Sequence, residues 1–546
     1  MDTLPQSQEN NSNEELESLK KQLEILRKEQ LLLQSQLNKI ADSKIVDEGT
    51  TKDSRSLKEK FGYSLSPTAL ILICIMVLGA ILRFKGLEIQ SLWADEINTM
   101  RESSPSTSFP QLFQFLRTAD PHPPLIFVLE HFMFLLFGYN EFVARFLPAL
   151  IGVVSIFTMY LLGKEIRNER TGLIIAALTA VNYFNIHFSQ EARAYILVWL
   201  FTSLSYLFFI RLCKHLRRKD MVLFTVFTVL LLYSHYYSFF VLASEIVLTI
   251  IIGLQEKENK KIFFRTFATA TLVMFLAYLP LIPFIQGAGK VNMSWIPKVG
   301  PGFFVDYVSY YFGNSKILPV LILGLCVYYL FIVFHNTDRF RKIKSNPNVL
   351  SFVFAITTIT LCWGIPFLRS VLVAPMLQAR YSIIVLPPIL IVMACSIDML
   401  REKYTRNGVL AVFLILSVYH LFFIRLFYQY KFKSQFREVT AFIAADKKNY
   451  PLINEGTAWH QQYYLDKFNY TGPVLSGKKE DIIDSILQKT SKKYDLDTFW
   501  LVRIFYDKPL DSTKQKELDT AYTIIKDSSF FEARAQLYSK KKKDTP

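Results

Sequence analysis

Residues 67–84 read PTALILICIMVLGAILRF, an apolar run interrupted only by Thr68 and by Arg83 near its end, and the chain soon continues as Ser91-Leu92-Trp93-Ala94-Asp95-Glu96. As a helix the run is ~27 Å long, close to the ~30 Å of a bilayer's hydrocarbon core. Tryptophan is an interfacial anchor, so Asp95 and Glu96 are expected at the lip of a membrane. The pattern recurs along the chain. Hydrophobic residues make up 51% of the 546, with 47 Phe and 28 Tyr, and mean hydropathy is +0.24. The composition predicts a polytopic α-helical membrane protein.

Spans are predicted at 67–84, 146–163, 171–187, 194–210, 221–234, 238–254, 266–284, 317–334, 349–366, 382–399 and 409–425, eleven in all. The loops 164–172, 211–219, 255–265, 335–347 and 400–408 hold 19 Lys and Arg in 51 residues. The opposite set, 85–145, 187–193, 285–315 and 367–380, holds 9 in 113. The first set is therefore expected to be cytoplasmic. An odd number of spans then puts the N-terminus inside and residues 426–546 outside. Residues 123–138 resemble a further span, but Glu130 and His131 at their centre are costly in lipid. They read as an interfacial helix in the first outer loop.

The expected organisation is a cytoplasmic coiled coil and linker (1–66), a transmembrane catalytic domain (67–425) and an extracytoplasmic α/β domain (426–546). In the first part, Leu19, Leu26, Leu33 and Ile40 form one heptad seam and Leu16, Leu23, Gln30 and Leu37 the other. Residues 14–41 would make a homo-oligomer or hold a cytoplasmic partner. In the last part, apolar 499–505 is a strand candidate. The five cysteines lie in or beside apolar runs, which excludes a disulfide framework. A net charge of +16 clusters in short loops, so no nucleic-acid partner is expected. Phosphate loops, dinucleotide fingerprints, zinc-helix motifs and serine elbows are absent from the sequence.

Candidate site residues all fall on the outer side. Asp95 can take a proton from a hydroxyl while Glu96 positions the loop or an incoming group. His122, before the rigid Pro123-Pro124, can donate to a phosphate oxygen or serve only as structure. Arg145 can snorkel or add positive potential. Glu191 and Arg193 occupy a very short turn, either pairing with each other or orienting a sugar and clamping a phosphate. Arg380-Tyr381 opens a later span at the same depth, where a guanidinium suits a phosphate beside lipid. No cofactor is required by the sequence, although the carboxylates and histidine could hold a divalent cation.

The order Trp93-Ala94-Asp95-Glu96, His122-Pro123-Pro124-Leu125, Glu141 to Pro148, Ser189 to Tyr195 and Arg380-Tyr381 resembles bacterial glycosyltransferase family 39-like proteins. These belong to the GT-C superfamily, with the protein O-mannosyltransferases and the lipid A aminoarabinose transferases. The resemblance spans residues 67–470. It implies inverting transfer of a sugar from a polyprenyl phosphate to a protein, lipid or glycan acceptor at the outer face of the plasma membrane, with Asp95 as the catalytic carboxylate. From the residues alone, a lipid-linked-sugar flippase is the alternative. The coiled coil departs from the family.

Overall fold

The computed structural model describes residues 66–541, except Pro121, 291–295, 336–342, 456–457, Ser491 and 506–507. The heptad segment 14–41 lies outside the described residues. Among those described, nine helices have the length and apolarity to cross a membrane. There are ten if the bent pair Glu169–Val181 and Tyr183–Ser189 forms one span. The protein is thus a helical polytopic membrane protein. At the expected position 221–234 the helix runs Arg218–Leu232, 15 residues with a charged first turn, ~22 Å long. It starts beside the end of Tyr195–His215 and returns to the first loop, where Tyr233 O accepts from Leu125 N at 3.2 Å.

Asparagine marks three successive helix starts. Asn140, Asn168 and Asn182 each accept a hydrogen bond from a backbone N–H three residues on, at 3.0, 2.8 and 2.9 Å, satisfying donors a first turn leaves open. Asn182 also makes the 60° bend in the bent pair. Its backbone is extended (φ −66°, ψ 121°) and its amide donates to Tyr311 O at 3.1 Å. That bend turns the chain into the short 190–194 segment carrying Glu191 and Arg193.

Burial ranks the helices. Tyr381–Asp398 is 94% buried and forms the middle of the bundle, whereas Lys403–Ile424 is 17% buried and presents apolar side chains outward. The Glu141–Ile166 and Glu169–Val181 helices approach through Gly163 and Gly172. A Cβ on Gly172 would stand 2.6 Å from Tyr160 O, so this contact depends on the missing side chain.

The first loop contains three helices, Ala94–Glu102, Phe109–Thr118 and Leu125–Phe137. The last has 13 residues, too short to cross at ~20 Å. Beyond the bundle lies a five-stranded sheet of order β2-β1-β3-β5-β4, with β1 Leu452–Asn454, β2 Val474–Leu475, β3 Thr498–Ile504, β4 Tyr522–Phe530 and β5 Ala533–Lys540. β1 runs parallel to β2 and β3; β5 runs antiparallel to β3 and β4. Alternation along β3 sends Phe499 and Leu501 to one face and Trp500, Val502 and Ile504 to the other. The second face shares a core with Leu92, Ile97 and Met100 of the first loop and with Val143, Ala144 and Ala192 of the bundle. Asp95 and Glu96 are therefore carried on a helix held between bundle and sheet.

Replacing Gly172 by Ala should lower stability by ~1–3 kcal/mol through overpacking, read as a fall in unfolding temperature of the detergent-purified protein. Replacing the loosely surrounded Gly324 should leave it unchanged.

Candidate functional site

Trp93 is the extended N-cap of the Ala94–Glu102 helix (φ −99°, ψ 173°), with Asp95 and Glu96 in the first turn. Negative charge is favoured there by the helix dipole. Glu96 is fully buried and meets three other parts of the chain. Arg145 Nε donates to its Oε1 at 2.8 Å and Arg145 Nη2 to its Oε2 at 2.7 Å. The backbone N–H of Ala192 donates to Oε1 at 3.1 Å, and Lys433 Nζ to Oε2 at 2.9 Å. Burial pushes the Glu96 carboxyl up, but Arg145 and Lys433 outweigh it and bring it down to about 2. Arg145 spends its remaining donors on the carbonyls of Leu87, Gln90 and Ser91 at 2.7, 2.8 and 3.1 Å. One guanidinium thus shapes the whole approach to Asp95. From the other side, Tyr464 OH accepts from Leu92 N at 2.9 Å and Ser91 Oγ accepts from Arg437 N at 3.0 Å.

Asp95 faces the opposite way and keeps a quarter of its side chain exposed. Its Oδ2 accepts from Arg380 Nη1 at 3.0 Å. The Arg380 guanidinium lies over the Trp93 ring at 5.3 Å and the Tyr381 ring at 5.4 Å. Behind Asp95, buried Arg193 donates from Nη1 to Asp95 O at 3.3 Å and to Thr99 Oγ1 at 3.2 Å. Its Nη2 meets His122 Nε2 at 3.0 Å, and Asp120 Oδ2 is 3.5 Å from Nη1. His122 also contacts Asp120 through Nδ1. Burial opposes ionisation of Asp120, but His122 and Arg193 hold it well below the usual carboxylate range.

Glu191 is 2% exposed and lies 3.8 Å from Lys433 and 3.6 Å from His187. Burial pushes its carboxyl up to about 7 against the pull of Lys433. Glu191 lines a cavity of about 440 Å³ whose walls also include Trp93, Arg380, Arg425 and Lys433. A larger cavity of about 1040 Å³ is lined by Ile97, Arg101, Tyr139 and Trp459.

The structure therefore brings Asp95, Arg380 and Tyr381 together, sets Glu191 across from them, and joins Glu96 to Arg145. Arg193 and His122 form a separate set behind Asp95, and Arg193 pairs with Asp120 rather than with its neighbour Glu191. Three participants were not singled out in the sequence: Asp120, Arg425 and Lys433. Asp120 stands two residues before His122 and Arg425 closes the last apolar run, which are weak signals; Lys433, eight residues further on, carries none. Among the described residues no group of three or more His, Cys, Asp or Glu is arranged to hold a metal. Both oxygens of Glu96 are engaged by protein donors.

Residues 121–281 match the dolichyl-phosphate-mannose-protein mannosyltransferase family. Among solved structures, ArnT from Cupriavidus metallidurans bound to undecaprenyl phosphate is similar at 13% identity and a TM-score of 0.51, over 86% of this chain and 97% of that one. The Archaeoglobus fulgidus oligosaccharyltransferase in complex with zinc and sulfate is similar at 13% identity and a TM-score of 0.50, over 79% and 67%. In sequence, the chain is 29% identical over 201 residues to dolichyl-phosphooligosaccharide-protein glycotransferase 1 of Pyrococcus horikoshii. That match covers 35% of this chain and a fifth of the curated relative's length. The family match is confined to residues 121–281 of the 546, and the structural likeness shows that the chain shares its fold with ArnT and the oligosaccharyltransferase.

Arg145→Lys should be strongly destabilising, because lysine cannot reproduce the five-donor fork and a broken buried pair costs ~3–5 kcal/mol. The expected result is a lower unfolding temperature and poor recovery from the membrane. Arg101→Lys, at the rim of the larger cavity, should leave both unchanged.

Proposed function

We propose that the protein transfers a sugar from a polyprenyl-phosphate donor to an acceptor hydroxyl, with inversion, at the membrane face bearing Asp95. The observation that carries this reading is the partly exposed Asp95 carboxylate, hydrogen-bonded to Arg380 at 3.0 Å at the edge of a cavity lined by Arg380, Arg425 and Lys433. Relatives of the same fold bound to undecaprenyl phosphate and dolichol-phosphate support a donor of that class.

In this mechanism the acceptor O–H gives its proton to Asp95 as its oxygen attacks the anomeric carbon. The bond from that carbon to the phosphate oxygen breaks on the opposite face, and the polyprenyl phosphate leaves with the bonding pair. Arg380, Arg425 and Lys433 stabilise the charge growing on the phosphate, in surroundings where fixed cations act more strongly than in water. Glu191, which burial keeps protonated up to about pH 7, donates a hydrogen bond to a phosphate oxygen in that form. Glu96 acts through Arg145 as a positioning residue, and Arg193 with His122 fixes the backbone of Asp95. The site is assigned to the outer face of the plasma membrane, with the N-terminus in the cytoplasm. A protein, lipid or glycan acceptor would enter beside the first loop and the residues beyond 426.

Asp95→Asn should lower transfer from a labelled polyprenyl-phosphate sugar in detergent by ~10²–10⁴-fold, with an unchanged unfolding temperature. Normal transfer by this variant would refute the assignment. A flippase would leave the donor chemically intact in detergent.

A neutral Glu191 also sets a pH limb. Its carboxyl is protonated below about 7, so transfer should fall as pH rises through that value. Glu191→Gln, a neutral donor at every pH, should flatten the limb while keeping activity at pH 6. Lys433, His187, Arg380, Asp95 and Glu96 also face this group, so the comparison is made in the otherwise unaltered protein. A limb unchanged in Glu191→Gln would remove Glu191 from the mechanism and leave the role of Asp95 standing.

A further inference from the structure

A second charged cavity, of about 390 Å³, opens at the far end of the bundle, where Tyr195–His215 ends and Arg218–Leu232 begins. The helix between this cavity and Arg193 has 21 residues, ~31 Å at 1.5 Å each. The two sites are thus separated by about the thickness of a hydrocarbon core.

One wall is basic, formed by Arg211, His215, Arg217 and Lys219. Two acids are present, and both are placed away from the rim. Glu165 is engaged by Arg211 at 3.0 Å and by Lys214 at 3.2 Å, while Asp220 is buried in the first helical turn. Arg217 and Lys219 are exposed at the mouth. The other wall is apolar, Phe208 and Leu223. From Phe208 an aromatic ladder continues along the two helices: Phe208 stacks on Phe227 at 5.4 Å, and Phe227 on Phe201 at 6.4 Å. Exposed Val222 and Val226 flank it.

Basic residues in a membrane protein's loops ordinarily set orientation, and that role needs neither a cavity nor an apolar wall. Here the two occur together, with positive charge at the helix ends and a half-buried hydrocarbon track leading away from it. We propose that this cavity seats an anionic phospholipid. Its phosphate lies among Arg211, Arg217 and Lys219, and one acyl chain runs along the Phe208–Phe227–Phe201 ladder. Basic groups near an anionic headgroup attract it, each adding to the others. A zwitterionic headgroup would set its own ammonium against the same cations, so the site should discriminate by charge.

The test uses the full-length protein in detergent, followed by thermal unfolding with phosphatidylglycerol, phosphatidylcholine or inorganic phosphate. Phosphatidylglycerol should raise the unfolding temperature in a saturable way, with the other two giving little or no rise. Arg217→Gln/Lys219→Gln should lose most of that rise. If the double variant unfolds earlier without lipid, Lys219→Gln alone is read in the same way and should lose part of the rise. Native mass spectrometry should show a retained anionic lipid on the unaltered protein and less on the variants. An equal rise with phosphatidylcholine, the same rise with inorganic phosphate, or a full rise in both variants would overturn the proposal. None of these readouts depends on sugar transfer.

Discussion

Everything about the site depends on burying one ion pair. Glu96 and Arg145 are both removed from water, and isolated charges in that position would cost several kcal/mol each. The cost is offset because the geometry is bidentate, at 2.8 and 2.7 Å, and because Lys433, Ala192 and three carbonyls complete the coordination of the two groups. The pair is therefore weak as a source of net stability and strong as a geometric constraint. If any contributing segment moves, a buried charge is left without its partner. The first loop, the Glu141–Ile166 helix, the 190–194 turn and the chain following the last apolar helix are bound to one arrangement.

That arrangement gives adjacent carboxylates opposite environments. Successive residues at a helix N-terminus point about 100° apart, so Glu96 faces inward while Asp95 meets Arg380 on the cavity wall. Glu96 is surrounded by donors and brought down to about 2; Asp95 keeps a quarter of its side chain exposed, beside Arg380. Glu191, one turn of chain away from Arg193, is pushed up to about 7 because burial outweighs its one nearby ammonium. Three acids of the same chemistry thus meet three environments: a cage of donors, a partly exposed place beside one guanidinium, and a buried place beside one ammonium.

Much of this was legible in the sequence, for identifiable reasons. Apolar runs longer than a helical turn have few fates, so the span positions at 67–84, 238–254 or 317–334 follow from length alone. The helix at Leu125–Phe137 was separable from a span because two polar residues sit at its centre. The runs did not show that the helix at Arg218–Leu232 has only 15 residues, or that Asn182 bends the pair Glu169–Val181 and Tyr183–Ser189 by 60°. The residue types at the site were readable, whereas their pairing was not. Arg193 stands two residues from Glu191, and local spacing suggests that they pair; packing instead directs Arg193 to Asp120 and His122. Asp95 and Arg380 are 285 residues apart, and no periodicity connects them. Lys433 was illegible for a similar reason: a lysine after a span is ordinary until the fold sets it against Glu96.

The central claim is a single displacement, with Asp95 on one side of the anomeric carbon and the cationic cavity holding the phosphate on the other. Its most direct test is the configuration of the new glycosidic bond, determined by NMR on product made from a polyprenyl-phosphate sugar of known anomer. The account expects clean inversion. A product retaining the donor's configuration would require a second displacement, and would contradict the roles assigned to Asp95 and Arg380.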